Sequence, residues 1–424
     1  MPAARPWWPI RIIYSNKMKE SIHIQNFGPL RDVRIDDIKP LTVLIGDSAS
    51  GKSTLMKVIT MMRQTYQREN IRSYLRNANI SESDIDKISS WNLLPDSGSV
   101  ADLKYNFGLY PNSDNLNIDY VVRMPSGKEY ILNHCYKNFK YITSYEQIDK
   151  IDMSFSQEAF VAETRSMIPT WSLYGARLPR ADLGSCFNET FGHFSDATDS
   201  IKEQQLDYIG MKMEVRTNYR EKYFMIYQND GDYGLNLGSG GVSSGIQASA
   251  PLMTIVRYFA REYSFTKAFR RTVLNYLTDE DISQFRPEVN LQDLKKYVHL
   301  YIEEPELSLD PKTQCLFIND LIREAFYRGD NKRPDDGRQL GLMFATHSPY
   351  ILNHLNVLLK ASYYEKARES YPYINPDEIA VYQLHDGEVH SLVEDDEETG
   401  ERIIDTYKFS ETMEWILDKY ESVD

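Results

Sequence analysis

The sequence predicts an α/β fold with a buried parallel sheet, and three strongly apolar runs support that prediction. The runs are LTVLI at 41–45, YVHLYI at 297–302 and LGLMFAT at 340–346. Such runs are typical of strands that are covered on both faces. Glycine-rich or charged residues follow each run, and ligands of parallel α/β sheets bind beyond the carboxyl ends of the strands. We therefore expect a ligand site at one edge of this sheet.

The first run leads into a phosphate-binding loop. Before it, IHIQNF at 22–27 alternates like a half-buried strand, and Gly28-Pro29 predicts a turn. After it, the motif GxxxxGK[ST] is matched in full and Thr54 follows; the matching residues are Gly46, Asp47, Ser48, Ala49, Ser50, Gly51, Lys52 and Ser53. Apolar residues at helical spacing come next, so the motif lies between a strand and a helix.

This loop type suits the phosphates of a nucleotide. Its glycines let successive backbone N–H groups turn toward the phosphates, and the start of the next helix carries a positive partial charge. We expect Lys52 to reach the β and γ phosphates, and Ser53 to hold Mg²⁺. The loop alone is equally typical of a kinase, a GTPase or a motor.

The other two runs end in acidic and imidazole side chains. The second run is followed by Glu303-Glu304-Pro305-Glu306 and the third by His347. Adjacent strand residues face opposite ways, so two neighbouring carboxylates can take two roles. We expect Glu303 to hold Mg²⁺ through water and Glu304 to polarise the attacking water as general base.

This motif set resembles the ABC-type ATPases, in the branch of the chromosome-maintenance and RecF-like heads and the overcoming-lysogenization-defect family. The resemblance implies a P-loop NTPase fold, namely an ABC-ATPase head with an antiparallel β subdomain and a helical and β insertion. It implies that residues 46–54 are the Walker A loop, Glu303 the Walker B acid and Glu304 the catalytic base. It also implies Asp310 as the D-loop residue and His347 as the switch histidine. The motifs span Ser21 to about Leu358.

The resemblance further implies a signature motif that binds the γ-phosphate of a partner subunit's nucleotide, and hence at least a homodimer. VSSGIQ at 242–247, with Ser243, Ser244, Gly245 and Gln247, lies before a helical pattern at 250–260. A helix start there suits an anion. Ser244 replaces a usual glycine, so Gly238-Ser-Gly-Gly241 remains an alternative signature.

Two further candidate residues lie in or near the stretch FVAETRSMIP at 160–169, which resembles a strand end with Glu-x-Arg in the lysogenization-defect-like branch. Arg165 is carried over from that resemblance, the alternative being an exposed Arg in a surface ion pair. Gln157, shortly before this strand end, is the candidate for the Q-loop and a metal contact.

The domain organisation follows from these motifs. We expect an extension at 1–17, an ATPase head at 18–360 with an insertion at about 63–155 and a helical signature lobe at about 240–295, and carboxyl-terminal strands and a helix at 361–424. The extension is Pro- and Trp-rich, so the start is assigned too early or Trp7 and Trp8 anchor an arm. In the insertion we predict a helix at 60–77 and strands at 103–109, 118–124 and 129–133, without a coiled-coil arm.

One face of the predicted helix leaves two interpretations open. Arg68, Arg72 and Arg76 recur every fourth residue, with Tyr66 and Tyr74 nearby. They form either a solvated helix face or a basic stripe for a nucleic-acid backbone or an acidic partner.

Composition narrows the functional classes. The 424 residues are 42% hydrophobic, enough for a large core, and 48 Lys plus Arg against 62 Asp plus Glu give a net charge of −14. That charge disfavours nucleic-acid binding over the whole surface.

Cys135, Cys186 and Cys315 are distant from one another, which argues against disulfides and a structural zinc site. No run approaches the ~20 apolar residues of a membrane span, so we expect a cytoplasmic protein with no membrane partner.

After His347 we predict strands at 379–384 and 388–392, a solvated acidic loop at 394–398 and a final helix, and no Toprim nuclease domain.

The resemblance then implies an ATPase that regulates a separate effector nuclease, as ATPase subunits of the bacterial anti-phage systems PARIS and Septu do, with a phage protein or DNA as trigger. The alternatives are a RecF-like DNA-repair ATPase, a nucleotide-gated scaffold with little turnover and, less favoured, a transporter's ATPase subunit.

Overall fold

The computed structural model describes residues 17–81, 83–85, 115–137, 140–144, 147–174, 185–218, 221–229, 231, 233–272, 277, 283, 285–327, 334–407, 418–420 and 422. The predicted strand at 103–109, Trp7 and Trp8 with the rest of 1–16, and most of the predicted final helix lie outside these ranges.

The elements follow one another in the order expected for an α/β chain. The strands are β1 (Lys19–Phe27), β2 (Leu30–Ile35), β3 (Leu41–Gly46), β4 (Asn117–Arg123), β5 (Glu129–Lys137), β6 (Lys140–Ser144), β7 (Ser154–Val161), β8 (Glu203–Leu206), β9 (Met211–Asn218), β10 (Glu221–Gln228), β11 (Gly234–Asn236), β12 (Lys295–Glu303), β13 (Gln339–Thr346), β14 (Ile379–His385), β15 (Glu388–Ser391), β16 (Val393–Asp395) and β17 (Arg402–Ile404). The α-helices are α1 (Lys52–Arg76), α2 (Ile168–Tyr174), α3 (Ser185–Ser200), α4 (Ser244–Arg257), α5 (Phe265–Thr272), α6 (Pro311–Phe326), α7 (Pro349–Ala361) and α8 (Glu365–Ser370).

The central sheet has six strands in the order β15-β14-β3-β13-β12-β7. The five strands from β14 to β7 are parallel, and β15 is antiparallel to β14. The three apolar runs are β3, β12 and β13, and they lie side by side as the predicted fold requires. Their residues are almost all buried, because helices cover both faces of the sheet. The mixed α/β fold class is confirmed.

The strand register brings three distant loops to one edge of this sheet. Ile45 pairs with Thr346, and Ala345 pairs with Glu303. The phosphate loop at 46–53, the loop at 304–310 (called the acidic loop below) and His347 therefore lie at the same level, beyond the carboxyl ends of β3, β12 and β13.

A second sheet is antiparallel, with the order β2-β1-β4-β5-β6. The predicted strands at 118–124 and 129–133 are β4 and β5, and β4 pairs directly with β1. This pairing covers an edge of β1 that would otherwise be open. The segment predicted as an insertion thus extends the sheet that begins before the phosphate loop, and the proposed domain limits stay a prediction.

Helix α1 is longer than the predicted helix and is buried around most of its circumference. It begins at Lys52 and runs without a break to Arg76. The interpretation of its arginines as an exposed face is therefore corrected. Arg68 is only 9% exposed, and the Nε atoms of Arg68 and Arg72 lie 3.6 Å and 3.9 Å from the buried carboxylate of Glu69.

A buried polar network joins α1 to both sheets. Arg63 donates to both oxygens of Glu20, at 2.9 Å and 2.5 Å, and the hydroxyl of Tyr120 also donates to Glu20. Arg63 donates to the hydroxyl of Tyr301 at 3.0 Å, and Tyr301 in turn donates to Glu158 at 2.8 Å. Because all these groups are buried, each depends on its partners.

The rest of the described chain packs around this core. Strands β11-β10-β9-β8 form a four-stranded antiparallel sheet, and β16 and β17 form a hairpin against α7. Among the described residues, no helix has the length and apolar content needed to cross a membrane.

The Glu20–Arg63 pair predicts a pH dependence of stability. Burial, the largest single effect, would raise the pKa of Glu20, but the charges of Arg63 and His299 and the hydrogen bonds from Arg63 and Tyr120 together outweigh it and lower that pKa from 4.5 to about 2. The ionised carboxylate therefore stabilises the fold fully above about pH 4.5, and this contribution is lost as the pH falls toward 2. Glu20→Gln should lower the free energy of unfolding at pH 7 by roughly 3–5 kcal/mol, because it leaves Arg63 buried beside a neutral amide.

Urea unfolding at several pH values measures both effects. The difference between the native chain and Glu20→Gln should shrink as the pH drops below 4.5. A difference that stays constant down to pH 2 would show that the ionised form of Glu20 is not what stabilises this fold.

Candidate functional site

The loop between β3 and α1 needs its glycines. Gly46 has φ of 151°, and a Cβ atom there would lie 2.4 Å from the carbonyl oxygen of Leu384. Gly51 has φ of 102°, and its Cβ would lie 2.9 Å from a methyl of Leu30. A side chain at either position would distort the loop. Asp47, Ser48 and Ala49 are exposed, so the loop is open to a ligand.

Lys52 lies over this loop at the start of α1. Its Nζ donates to the carbonyl oxygens of Gly46 at 2.9 Å and Asp47 at 2.8 Å. Burial lowers the pKa of Lys52, whereas Asp47, Glu304 and Glu306 act to raise it. The acidic loop after β12 thus lies within electrostatic range of the lysine. Ser53 and Thr54 follow in the first turn and are partly exposed.

The two residues predicted to supply carboxylates, Glu303 and Glu304, differ in backbone conformation. Glu303 is the last residue of β12 and is 9% exposed. Glu304 has φ of 44°, in the left-handed region, and its N–H donates to the carbonyl of Ala345 at 2.9 Å. A non-glycine residue held in this conformation costs of the order of 1–3 kcal/mol. Neighbouring contacts must therefore stabilise it.

Glu306 links the acidic loop to the end of β13. One of its carboxylate oxygens accepts from the Thr346 hydroxyl and from the His347 N–H, both at 2.8 Å. The other oxygen is buried and has no hydrogen-bond partner among the described residues. The imidazole of His347 is exposed beyond this contact. The sequence indicated Glu306 only as part of EEPE, and its link to His347 was missed.

Arg165 is fully buried, so its interpretation as an exposed surface arginine is corrected. Nη1 donates to the carbonyls of Glu303 at 2.6 Å and Ala162 at 3.2 Å, and Nη2 donates to the carbonyl of Glu304. Nε donates to Ala248 in α4 at 3.2 Å. Burial lowers the pKa of Arg165 to about 10, although Glu306, Glu304 and Glu303 oppose the shift. The guanidinium therefore stays charged at neutral pH.

Glu163 is a further acidic residue at this edge. It follows β7, its side chain is exposed, and its backbone N–H donates to Glu303 at 3.4 Å. Burial, Glu303 and Glu304 raise the pKa of Glu163. The Glu-x-Arg pattern contained this residue, but its place beside Glu303 depends on the pairing of β7 with β12 and could not be seen in the sequence.

The structure does not bring Gln157 to this edge, and its assignment to the metal site is corrected. Gln157 pairs with Val298, five residues before Glu303 in β12. At about 3.3 Å per strand residue, this is roughly 16 Å along the sheet. The side chain is also occupied, because it accepts from the Tyr263 hydroxyl at 2.6 Å and donates to the Glu158 carbonyl at 2.7 Å.

The candidate signature lies at the start of α4. Ser243 occupies the N-cap position, and Ser243 and Ser244 are exposed. Gly245 faces the acidic loop, since a Cβ there would lie 2.6 Å from the Ser308 carbonyl. Gln247 donates to the carbonyls of Ser239 and Val242, both at 3.1 Å, and so holds the preceding turn.

Within the alternative signature at 238–241, Gly238 has a packing role, whereas Gly240 and Gly241 are exposed. A Cβ at Gly238 would lie 2.3 Å from the Pro169 carbonyl. This close approach explains the glycine without a ligand. The exposed helix start at Ser243 is therefore the better candidate for contact with an anion.

Asp310 caps the amino end of α6. Its carboxylate accepts from the N–H groups of Lys312 at 3.1 Å and Thr313 at 3.2 Å, and hydrogen bonds from Thr313 lower its pKa. The residue is exposed.

The side chains at this edge match the needs of a nucleotide with Mg²⁺. The loop supplies backbone N–H groups and Lys52 for phosphate, and Ser53 and Glu303 supply hydroxyl and carboxylate oxygens, which Mg²⁺ prefers. Glu304 lies one residue beyond, on a fixed backbone. The arrangement can bind a nucleoside triphosphate and activate water against its γ-phosphate.

Comparison with solved structures identifies similar chains of low sequence identity. The SMC head domain from Thermotoga maritima matches with 10% identity and a TM-score of 0.35, over 88% of this chain and 98% of that one. The recombination mediator protein RecF with ATP matches with 12% identity and a TM-score of 0.36, over 88% of this chain and 99% of that one. No curated protein sequence matches this chain.

The family comparison is more decisive. The family model described as AAA ATPase domain matches residues 18–233, just over half of the chain. The match includes the phosphate loop and the end of β7 with Arg165. The chain therefore belongs to the AAA ATPase domain family, and it is an ATPase.

Proposed function

We propose that this ATPase works as a nucleotide-gated switch between two copies of the chain. Each ATP would lie between Lys52 of one copy and Ser243–Gly245 of the other. Binding would join the copies, and hydrolysis would release them. One observation carries the proposal: Lys52, Glu303, Glu304 and His347 share one sheet edge, while Ser243 and Ser244 at the start of α4 are exposed.

The residues at the edge divide the work of hydrolysis. Lys52 and the loop N–H groups would hold the β and γ phosphates, and Ser53 and Glu303 would hold Mg²⁺, which neutralises developing charge on the phosphates. Glu304 would accept a proton from the attacking water, and the exposed imidazole of His347 would contact the γ-phosphate. The fixed backbone of Glu304 supports this role, because a base must be aligned before the reaction.

The exposure of two further sites supports pairing. Ser243 and Ser244 begin α4 with free backbone N–H groups of the first turn, which favour an anion. Asp310, in the loop after β12, is also exposed. In a pair of copies these residues would face the partner's nucleotide, and each site would be complete only with the partner present.

The proposed biological role is regulation of a separate effector nuclease in bacterial anti-phage defence. The resemblance to ATPase subunits of PARIS and Septu supports this role, and a phage protein or DNA would be the trigger. In this scheme the ATP-bound assembly would hold the effector, and the trigger would change the assembly.

A RecF-like repair ATPase is the alternative, and it would bind DNA itself. Arg68, Arg72 and Arg76 do not favour it, because Arg68 is buried and Glu69 lies beside Arg68 and Arg72. A nucleotide-gated scaffold with little turnover is the second alternative, and it predicts assembly without phosphate release.

Lys52→Ala should weaken ATP binding by roughly 100-fold or more, because it removes a charged donor to the phosphates. Isothermal titration with a slowly hydrolysed ATP analogue and Mg²⁺ measures the Kd. Lys57→Ala, further along the same helix, is the matched control and should change the Kd by less than about twofold. Unchanged affinity in Lys52→Ala would refute the site assignment.

Glu304→Gln should retain ATP binding and lower kcat by about 10²–10⁴-fold, because the amide cannot accept the proton. The assembly formed with ATP should then persist in size-exclusion chromatography. Glu365→Gln, exposed on α8, serves as the control with normal turnover. A native rate in Glu304→Gln would place the base elsewhere or favour the scaffold.

The native mass of the chain, purified from its own source with and without ATP and Mg²⁺, tests the partner proposal. A homo-oligomer that carries a second protein supports regulation of an effector. A lone species that only dimerises with ATP contradicts that role and favours the repair-type ATPase, whose DNA affinity would fall with salt.

A further inference from the structure

One guanidinium joins three elements around the proposed general base. Arg165 donates to the carbonyls of Ala162 at the end of β7, of Glu303 and Glu304 at the end of β12, and of Ala248 in α4. Its side chain is fully buried. Every acceptor is a backbone carbonyl, so the contacts hold the main chain rather than a particular side chain.

These contacts act on the strained residue of the site. Glu304 has φ of 44°, and both of its backbone groups are bound: the N–H donates to Ala345, and the carbonyl accepts from Arg165 and from the Leu307 N–H at 3.0 Å. With both peptide groups held, the direction in which its carboxylate leaves the main chain is set. Loss of the arginine contact would let the backbone relax toward a commoner conformation and turn the carboxylate away.

The same guanidinium reaches the helix that begins with the candidate signature. Ala248 lies just over one turn after the start of α4, and Gly245 lies against the carbonyl of Ser308 in the acidic loop. The start of α4 and the loop that bears Glu304 are therefore joined twice, directly at Gly245 and Ser308 and indirectly through Arg165. A shift of α4 would move Arg165, and Arg165 would move the carbonyl of Glu304.

We propose that Arg165 is a positioning residue that couples the start of α4 to the backbone of Glu304 and so aligns its carboxylate. The inference rests on the proposed role of Glu304. It extends that role to the pairing of two copies. Contact of Ser243–Gly245 with a partner's nucleotide would hold α4 in place, and Arg165 would pass this constraint to Glu304 of the same chain. Each copy would hydrolyse ATP well only when its own α4 is engaged.

Arginine suits this task better than lysine. The guanidinium is planar and directs several N–H groups to separate acceptors, whereas an ammonium group is a point charge that cannot span the same carbonyls. Arg165→Lys keeps the charge and most of the volume but loses the simultaneous contacts. It is therefore the most informative substitution.

The test compares kcat and KM for ATP, with kcat expressed per bound nucleotide so that only folded sites are counted. Arg165→Lys should lower kcat by about 10- to 100-fold and leave KM within about twofold, because the base is misaligned while the phosphate loop is intact. Arg338→Lys is the matched control. Arg338 is also buried. It donates to the backbone carbonyls of Phe259 at 2.9 Å and Tyr263 at 2.6 Å and to the carboxylate of Asp336, and it precedes β13, at the opposite end of that strand from Thr346.

The double variant Arg165→Lys/Glu304→Gln separates this inference from the proposed function. If Arg165 acts through Glu304, the double variant should turn over at the rate of Glu304→Gln within about twofold. The inference would be overturned if Arg165→Lys lowered kcat by the same factor in the native chain and in the Glu304→Gln variant. It would also be overturned if Arg165→Lys left kcat unchanged, or if Arg338→Lys lowered kcat as much. A native rate in Glu304→Gln alone would instead overturn the proposed base.

Discussion

The site depends first on the register of three parallel strands. Residues near 46, 303 and 346 are far apart in the chain, yet Ile45 pairs with Thr346 and Ala345 with Glu303. A phosphate loop, an acidic loop and a histidine therefore leave the sheet at one level. A shift of β12 or β13 along the sheet would separate Glu304 from Lys52 and remove the chemistry, while much of the apolar core would remain.

Two buried arginines fix helices whose positions the strand pairing of the central sheet does not determine: α1 through Arg63 and α4 through Arg165. Arg63 joins α1 to the antiparallel sheet through Glu20 and to β12 through Tyr301. Arg165 joins the ends of β7 and β12 to α4. Burying a charge is costly, and in both cases hydrogen bonds compensate for the lost water. Each guanidinium in return joins elements that are distant from one another in the chain.

The sequence predicts the local parts of this account well and the long-range parts poorly. The phosphate loop, the three buried strands and Glu303–Glu304 follow from short patterns with one physical interpretation. The burial of Arg165 and Arg68, and the pairing of β4 with β1, depend on which elements pack together. Gln157 illustrates the limit, because its distance along the chain from Glu163 is small, yet the strand carries it roughly 16 Å from the site.

Nucleotide-gated pairing is tested most directly by a structure of the Glu304→Gln variant with ATP and Mg²⁺. We expect two copies with each γ-phosphate between Lys52 of one chain and Ser243–Gly245 of the other. We also expect the guanidinium of Arg165 on the carbonyls of Ala248 and residue 304. A nucleotide held by one chain alone, with the start of α4 in solvent, would contradict nucleotide-gated pairing.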